Sequence, residues 1–423
     1  MVCKIFIGLT EIAGYYSNLK KGFQKIGIEC TFIDLSPHPF KYGGDDDPNI
    51  LIKAYKWNLR RMRNLSHKIL RVPFLTSLSL LRIPIFIWSL YNYDVFIFSF
   101  GKSFFHNYDL PLLKLFNKKI LFVFSGSDGR PPYVDGFRHN LTLSDRKKLS
   151  RKIRSNIAAI ERYADCVVTS PASAHFHTKM CGNVCSMGLP FESPVQDTYH
   201  PKGDHDCIQI LHSPSDPVAK GSDRIRDSIN ILKKKGYTIN YVEITGKPHD
   251  EVIKALQDCD FVVDQAYSDT PMAGFATEAA WFGKPAVVGG YYADYIHNDC
   301  AQENIPPSLF CHPDEITTAI ERLIVDKEFR LALGQKAQNF VRTERTPEQV
   351  ARRYLQMIEG TIPEDLMFDP NLIGYVQGGG MPEFQSKEII RNMIEQYGIG
   401  SLCLSDKPEL EQRFREYAYD IHK

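Results

Sequence analysis

The sequence has almost no net charge: 51 Lys and Arg against 50 Asp and Glu leave a formal +1 at pH 7. A chain so balanced is not a globally basic nucleic-acid binder, and any charged partner has to be met by a local patch. It has no C-x-x-C pair, although ten cysteines are spread from Cys3 to Cys403. Cys181 and Cys185 have no second ligand pair at zinc-like spacing, so no metal is expected. Several cysteines lie in apolar runs, where a thiol packs as a small hydrophobe, and reduced thiols fit the cytosol. Missing too is any run of about 18 uncharged apolar residues, the length a membrane-spanning helix needs. The longest candidate, Ile83 to Tyr93, is too short. The amino terminus enters Cys3-Lys4-Ile5-Phe6-Ile7 without a basic-then-apolar signal pattern, and a cytoplasmic chain is expected.

What is present is enough for two or three domains: 423 residues, 43% of them hydrophobic. Short β-rich runs alternate with helical stretches. Lys4–Leu9 precedes a loop with Gly14 and an amphipathic segment, Tyr16–Ile26; Cys30–Leu35, Asp94–Phe100, Lys119–Phe124 and Asp165–Ser170 are further strands. A charged helix is predicted from about Ser144 to Tyr163. Such alternation implies a parallel sheet covered on both faces.

Residues 187–206 are rich in Pro and Gly and read as a linker, after which the alternation restarts. The predicted strands are Cys207–His212, Ile239–Ile244, Phe261–Asp264 and Pro285–Val288, with helices between and after them. The organisation read from this is an amino-terminal domain over 1–190, a linker over 191–206, a second domain over 207–360 that ends in a returning helix, and a helical extension over 361–423. Two doubly wound units place a ligand cleft between them. The extension is interrupted by Gly378-Gly379-Gly380 and is expected to wrap back on the core or to carry a partner site.

Two segments carry the chemistry. In Leu211-His212-Ser213-Pro214-Ser215-Asp216-Pro217-Val218-Ala219-Lys220-Gly221, a strand ends in a loop and Lys-Gly opens a helix. Free N–H groups beside a lysine suit a diphosphate. In Phe261-Val262-Val263-Asp264-Gln265, followed by Asp269 to Glu278, a strand delivers a loop whose Gly274 permits close backbone approach. Glu278, one turn into the next helix, could accept two hydrogen bonds from a ribose diol. In the amino half, Ser125-Gly126-Ser127-Asp128-Gly129-Arg130 follows a strand and faces the expected cleft. Asp128 could orient an acceptor hydroxyl. Arg130 could offset phosphate charge or pair with Asp128. The segment fails as a hydrolase nucleophile elbow, because Ser125 stands where a glycine two positions before Ser127 is required.

These residues resemble the group 1, retaining, GT-B-fold glycosyltransferases, over most of residues 1–360. Lys220-Gly221 looks like the family's diphosphate-binding element. Gly274…Glu278 with Gly283-Lys284-Pro285 looks like its signature loop and helix, and Asp94-Val95-Phe96-Ile97-Phe98…Asp109…Gly126-Ser127-Asp128 is similar to one branch. The resemblance implies an α/β, GT-B architecture of two Rossmann-like doubly wound domains facing a cleft. It also implies transfer from a nucleoside-diphosphate sugar to a glycan or lipid-linked acceptor with retention, usually without a metal. Asp128, Lys220 and Asp269 are then the candidate catalytic residues; Ser215, Lys220, Gly221, Gly246, Gly274, Phe275 and Glu278 form the candidate donor-binding set. The sequence departs from the family at three places. Thr270 stands eight positions before Glu278, where a second glutamate is usual, with Asp269 beside it. Ser125 replaces a histidine, and no arginine lies between His212 and Lys220. A nucleotide-sugar epimerase on the same scaffold and a degenerate transferase that only binds nucleotide or glycan are the alternatives.

Asp45-Asp46-Asp47 reads as a solvated acidic turn rather than a metal site, and His175 and His177 as loop residues of which one could enter the cleft. Between Asp47 and Asp94 there is no acidic residue, while Lys53, Lys56, Arg60, Arg61, Arg63, Lys68, Arg71 and Arg82 are interleaved with aromatics. Residues 53–93 therefore offer either an anionic-membrane contact, on the cytoplasmic face, or a solvated helix face joined to a core helix.

Overall fold

The computed structural model describes residues 3–36, 49–193 and 207–421. The Asp45-Asp46-Asp47 turn and all but the first three residues of the expected 191–206 linker lie outside them. Two parallel sheets form. The first is built from β1 (Ile5–Leu9), β2 (Cys30–Asp34), β3 (Val95–Ser99), β4 (Lys119–Val123), β5 (Cys166–Thr169) and β6 (Cys181–Asn183). The second comprises β7 (Ile208–His212), β8 (Ile239–Glu243), β9 (Phe261–Gln265), β10 (Ala286–Gly289) and β11 (Leu309–Cys311), in the order β11-β10-β9-β7-β8. A two-residue strand from the extension, β12 (Met367–Phe368), pairs antiparallel with β6, so the first sheet reads β12-β6-β5-β4-β3-β1-β2.

The strand period of two explains which face each side chain takes. Phe6, Phe96, Phe98 and Phe122 point to one face, where Phe6 lies 5.3 Å from both Phe96 and Phe104. Ile5, Ile7, Ile97, Leu121 and Val123 point to the other, against α1 (Tyr15–Lys25). The aromatic face is covered by α2 (Ile50–Arg63) and α3 (Lys68–Asn92), through Ile52, Tyr55, Leu78, Ile85, Phe86 and Leu90.

The helix Pro347–Glu359 crosses back to the first half and packs on α1, with Tyr354 and Tyr15 hydroxyls 2.6 Å apart. The helices touch so closely that a Cβ at Gly22 would stand 1.9 Å from the Pro347 carbonyl oxygen. Beyond it, the extension lies on the first half and reaches the second. Tyr375 accepts from His175 Nε2 through its carbonyl (2.8 Å), and the Phe414 ring sits 5.4 Å from Tyr133. The glycine triplet then threads between the halves: Gly136 N–H donates to Gly379, Gly379 N–H to Val134, and Gly380 N–H to Tyr267 (2.9, 3.1 and 2.7 Å).

The sequence reading needs one correction here. α3 is 25 residues long, and Leu70–Asn92 is apolar enough to cross a membrane. Arg71 and Arg82 had interrupted the apolar run and hidden its length.

Candidate functional site

The carboxyl ends of the strands from both sheets face one another, as expected for a ligand crevice in open α/β sheets. Between the halves lies a cavity of about 600 Å³, a volume in the range that holds a nucleotide-sized ligand. The first half lines it with Gly14, Ser17, Asn18 and Lys20 of the α1 end, and with Asp34 at the carboxyl end of β2; α2 adds Lys56. The second half contributes His249, Gly274 and Glu278.

The α1 amino terminus is not free to take an anion, because the chain supplies its own. The Glu11 carboxylate accepts from the Ile12, Tyr16 and Ser17 N–H groups at 2.8, 3.1 and 2.9 Å. Burial raises its pKa despite these bonds. Lys20 reaches the cavity with no ion pair among the described residues.

On the opposite wall, the helix Gly274–Trp281 begins without a side-chain cap. A Cβ at Gly274 would meet nothing within 4 Å, so its backbone is open to the cavity. One turn on, Glu278 Oε1 holds His249 Nε2 at 2.8 Å. That hydrogen bond raises the histidine pKa, so the imidazolium persists above its ordinary range. The structure thus brings Gly274 and Glu278 together, with a histidine the sequence reading missed. The signal for it was positional: His249 follows the loop after β8, and carboxyl-terminal loops of parallel strands are where ligands sit.

Lys220 stands elsewhere in the second half. Its Nζ lies 3.7 Å from Asp264 Oδ1, and Asp264 is buried. The turn before it is filled from within: Asp216 Oδ1 accepts from Val218 and Ala219 N–H at 3.1 Å each. Gly221, at φ +68°, lets the chain pass close to Tyr267, since a Cβ there would stand 2.8 Å from its ring. His212 donates from Nδ1 to the Val263 carbonyl and accepts the Ser222 hydroxyl at Nε2, both at 2.8 Å. Burial lowers its pKa, and a neutral ring fits this bonding. Ser215 and Gly246 are exposed on loops after β7 and β8, and Phe275 packs partly against the second core.

Two residues of the amino-half loop separate in role. Asp128 Oδ1 accepts the Ser125 N–H at 2.9 Å, while Oδ2 is buried without a partner. Burial pushes this carboxyl up to about 6. Arg130 does not pair with Asp128, the arrangement open from sequence. It bridges Asp135 (3.2 Å) and Asp269 of the opposite half, and Arg138 completes the group on Asp135 at 2.9 Å. Asp269, expected to face a donor sugar, is therefore held by an arginine. Gly379 lies over the pair: a Cβ there would be 3.4 Å from Asp269 and 3.6 Å from Arg130.

His175 and His177 are both fully buried, so neither lines the cleft. His177 Nδ1 bonds Glu161 at 3.0 Å, and burial lowers the pKa of both rings, His175 to about 3. Among the described residues, no group of three or more His, Cys, Asp or Glu side chains stands together as a metal site.

No protein-family model matches the sequence, and no curated protein matches it. Solved structures do. The catalytic domain of starch synthase IV from Arabidopsis thaliana, bound to ADP and acarbose, aligns with a TM-score of 0.50 at 10% identity. The alignment covers 85% of this chain and 99% of that one. Sucrose-phosphate synthase (tll1590) from Thermosynechococcus elongatus aligns at 0.49 and 14% identity, over 84% of this chain and 98% of its own. TarM aligns at 0.49 and 11%, over 85% and 99%. The fold is GT-B: two Rossmann-like halves facing a cleft, as the sequence led us to expect.

Proposed function

We propose that the chain transfers a sugar from a nucleoside-diphosphate sugar to a glycan or lipid-linked acceptor, in cell-surface polysaccharide or glycoconjugate synthesis. The observation that carries this reading is the cavity between the halves, where an open helix start at Gly274 and the Glu278 carboxylate face the α1 end. The starch synthase domain that shares the fold binds ADP, which supports a nucleotide in this cleft. Glu278 would exchange His249 for the ribose diol. The uncapped N–H groups at Gly274 and the Lys20 ammonium would meet the diphosphate, and His249, once released by Glu278, would donate a ring N–H to it.

Retention is part of the proposal. In that route the leaving diphosphate is stabilised by fixed positive charge, and the acceptor attacks from the same face. Lys220 joins the leaving group only if it lets go of Asp264 and turns to the cleft, and Asp128 would orient the acceptor hydroxyl. Asp269 takes part only if its pair with Arg130 opens.

A second reading, donor binding without transfer, draws on the same pair, because Arg130, Asp269 and Gly379 close the part of the cleft beside it. The experiment is a panel of nucleoside-diphosphate sugars tested for stabilisation and then for nucleotide release with and without acceptors. Acceptor-dependent release supports transfer. Release that needs no acceptor, or an epimerised donor, points to an epimerase. Binding with no turnover supports the degenerate form.

A further inference from the structure

α3 presents an apolar stripe to solvent along its whole length. Val72, Leu75, Leu80, Ile83, Ile87 and Tyr91 are each at least 46% exposed. Their spacing of three to five residues keeps them on one side of the helix. Scattered exposed hydrophobes are ordinary, but a contiguous stripe over some twenty residues, about 30 Å of helix, marks an interaction face. The neighbouring α2 adds Ile50 and Trp57, at 79% and 53% exposure, and an exposed basic end formed by Arg60, Arg61 and Arg63. Arg61 stacks on Trp57, its guanidinium carbon 4.4 Å from the ring centroid. From Pro48 to Tyr93 not one carboxylate dilutes these cations.

We infer that the α2–α3 hairpin docks the protein on an anionic lipid surface, with the α3 stripe in the interface and the basic end of α2 on the headgroups. The helix lies on such a surface and does not cross it. Its other side, Leu78, Ile85, Phe86 and Leu90, is built into the first core, and Arg82 donates to the Tyr55 hydroxyl at 3.1 Å. Pulling α3 into a bilayer would open that core. A second copy fits the face poorly. A two-fold contact sets the same patch against itself, so the arginines would find no acid in the segment to answer them. A lipid surface answers both features at once: acyl chains for the stripe, phosphates for the cations, and a boundary layer for Trp57 and Tyr91. This inference goes beyond the transfer reading and does not depend on it.

The test is cosedimentation of the full chain with vesicles of phosphatidylcholine alone and of phosphatidylcholine with phosphatidylglycerol. Wild type should pellet with the anionic vesicles and lose most binding at high salt. Leu80→Glu/Ile83→Glu, two exposed positions that leave the core untouched, should bind about tenfold more weakly or less, and so should Arg60→Glu/Arg63→Glu. Unchanged melting temperatures exclude a folding defect. Equal pelleting with and without phosphatidylglycerol overturns the inference. So does a wild-type dimer that binds no vesicles and that the Leu80→Glu/Ile83→Glu variant converts to monomer, which would assign the face to a second copy.

Discussion

Arg130 of the first half and Asp269 of the second form an ion pair across the cleft, and the guanidinium is held from behind by Asp135. The pair joins the two sheets at a point where the extension's Gly379 covers it. It ties the halves together at this point of the cleft, beside the glycine triplet that also bridges them.

Removing the arginine leaves Asp269 without its counter-charge and leaves the fully buried Asp135 with Arg138 alone. Arg130→Ala should therefore destabilise by about 3–5 kcal/mol, the range for breaking a buried pair from one side. Asp269→Asn keeps a polar partner on a partly exposed residue and should cost about 1–3 kcal/mol. Denaturant unfolding of both variants checks the order. Equal, near-zero effects would show that the pair does not hold the halves.

Asp128 predicts a pH dependence. Its folded carboxyl, pushed up to about 6, keeps a proton that the unfolded chain releases near 4. Stability from this group is full below about pH 4, is lost as pH rises through 6, and is flat beyond that. Asp128→Asn keeps the acceptor for Ser125 and escapes the loss. It should gain ~1–2 kcal/mol over wild type above about pH 7, and little at pH 4. Melting temperatures across that range read the difference directly; a pH-independent offset would contradict the account.

The glycine triplet predicts a conformational effect. Gly378 has φ +74°, and a Cβ on it would stand 2.1 Å from the Val134 carbonyl oxygen. Gly378→Ala should cost more than about 1 kcal/mol and loosen the strap. Limited proteolysis should then cut near residue 378 faster than in wild type. Unchanged cleavage would mean that the strap tolerates a side chain and is not tightly held.

Much of the fold was legible because it rests on local signals. Runs such as Val95-Phe96-Ile97-Phe98 carry strand composition, and turn residues bound them; the predicted helix Tyr16–Ile26 forms over Tyr15–Lys25, and the one from about Ser144 to Tyr163 over Leu143–Tyr163. Gly274 and Glu278 were legible together because a strand, a loop and a helix fix their spacing. What could not be read depends on distance along the chain. Arg130 and Asp269 are separated by 139 residues, and nothing near either one names its partner. The destination of the extension was hidden for the same reason, since its partners Val134, His175 and Tyr267 lie far upstream. Lys220 shows a different limit: its place after β7 was clear, but its neighbour Asp264 comes from a separate strand. The length of the apolar stretch in α3 was missed because two arginines broke the count, although one of them turns inward to Tyr55.

The central claim is that a nucleoside-diphosphate sugar binds between Gly274, Glu278 and the α1 end. Titration calorimetry of wild type and Glu278→Ala against a panel of such donors tests it most directly. The account predicts that wild type binds at least one donor and that Glu278→Ala binds it about tenfold or more weakly with its fold intact, the loss expected for a charged hydrogen bond. No donor binding in wild type, or equal affinity in the variant, would contradict it.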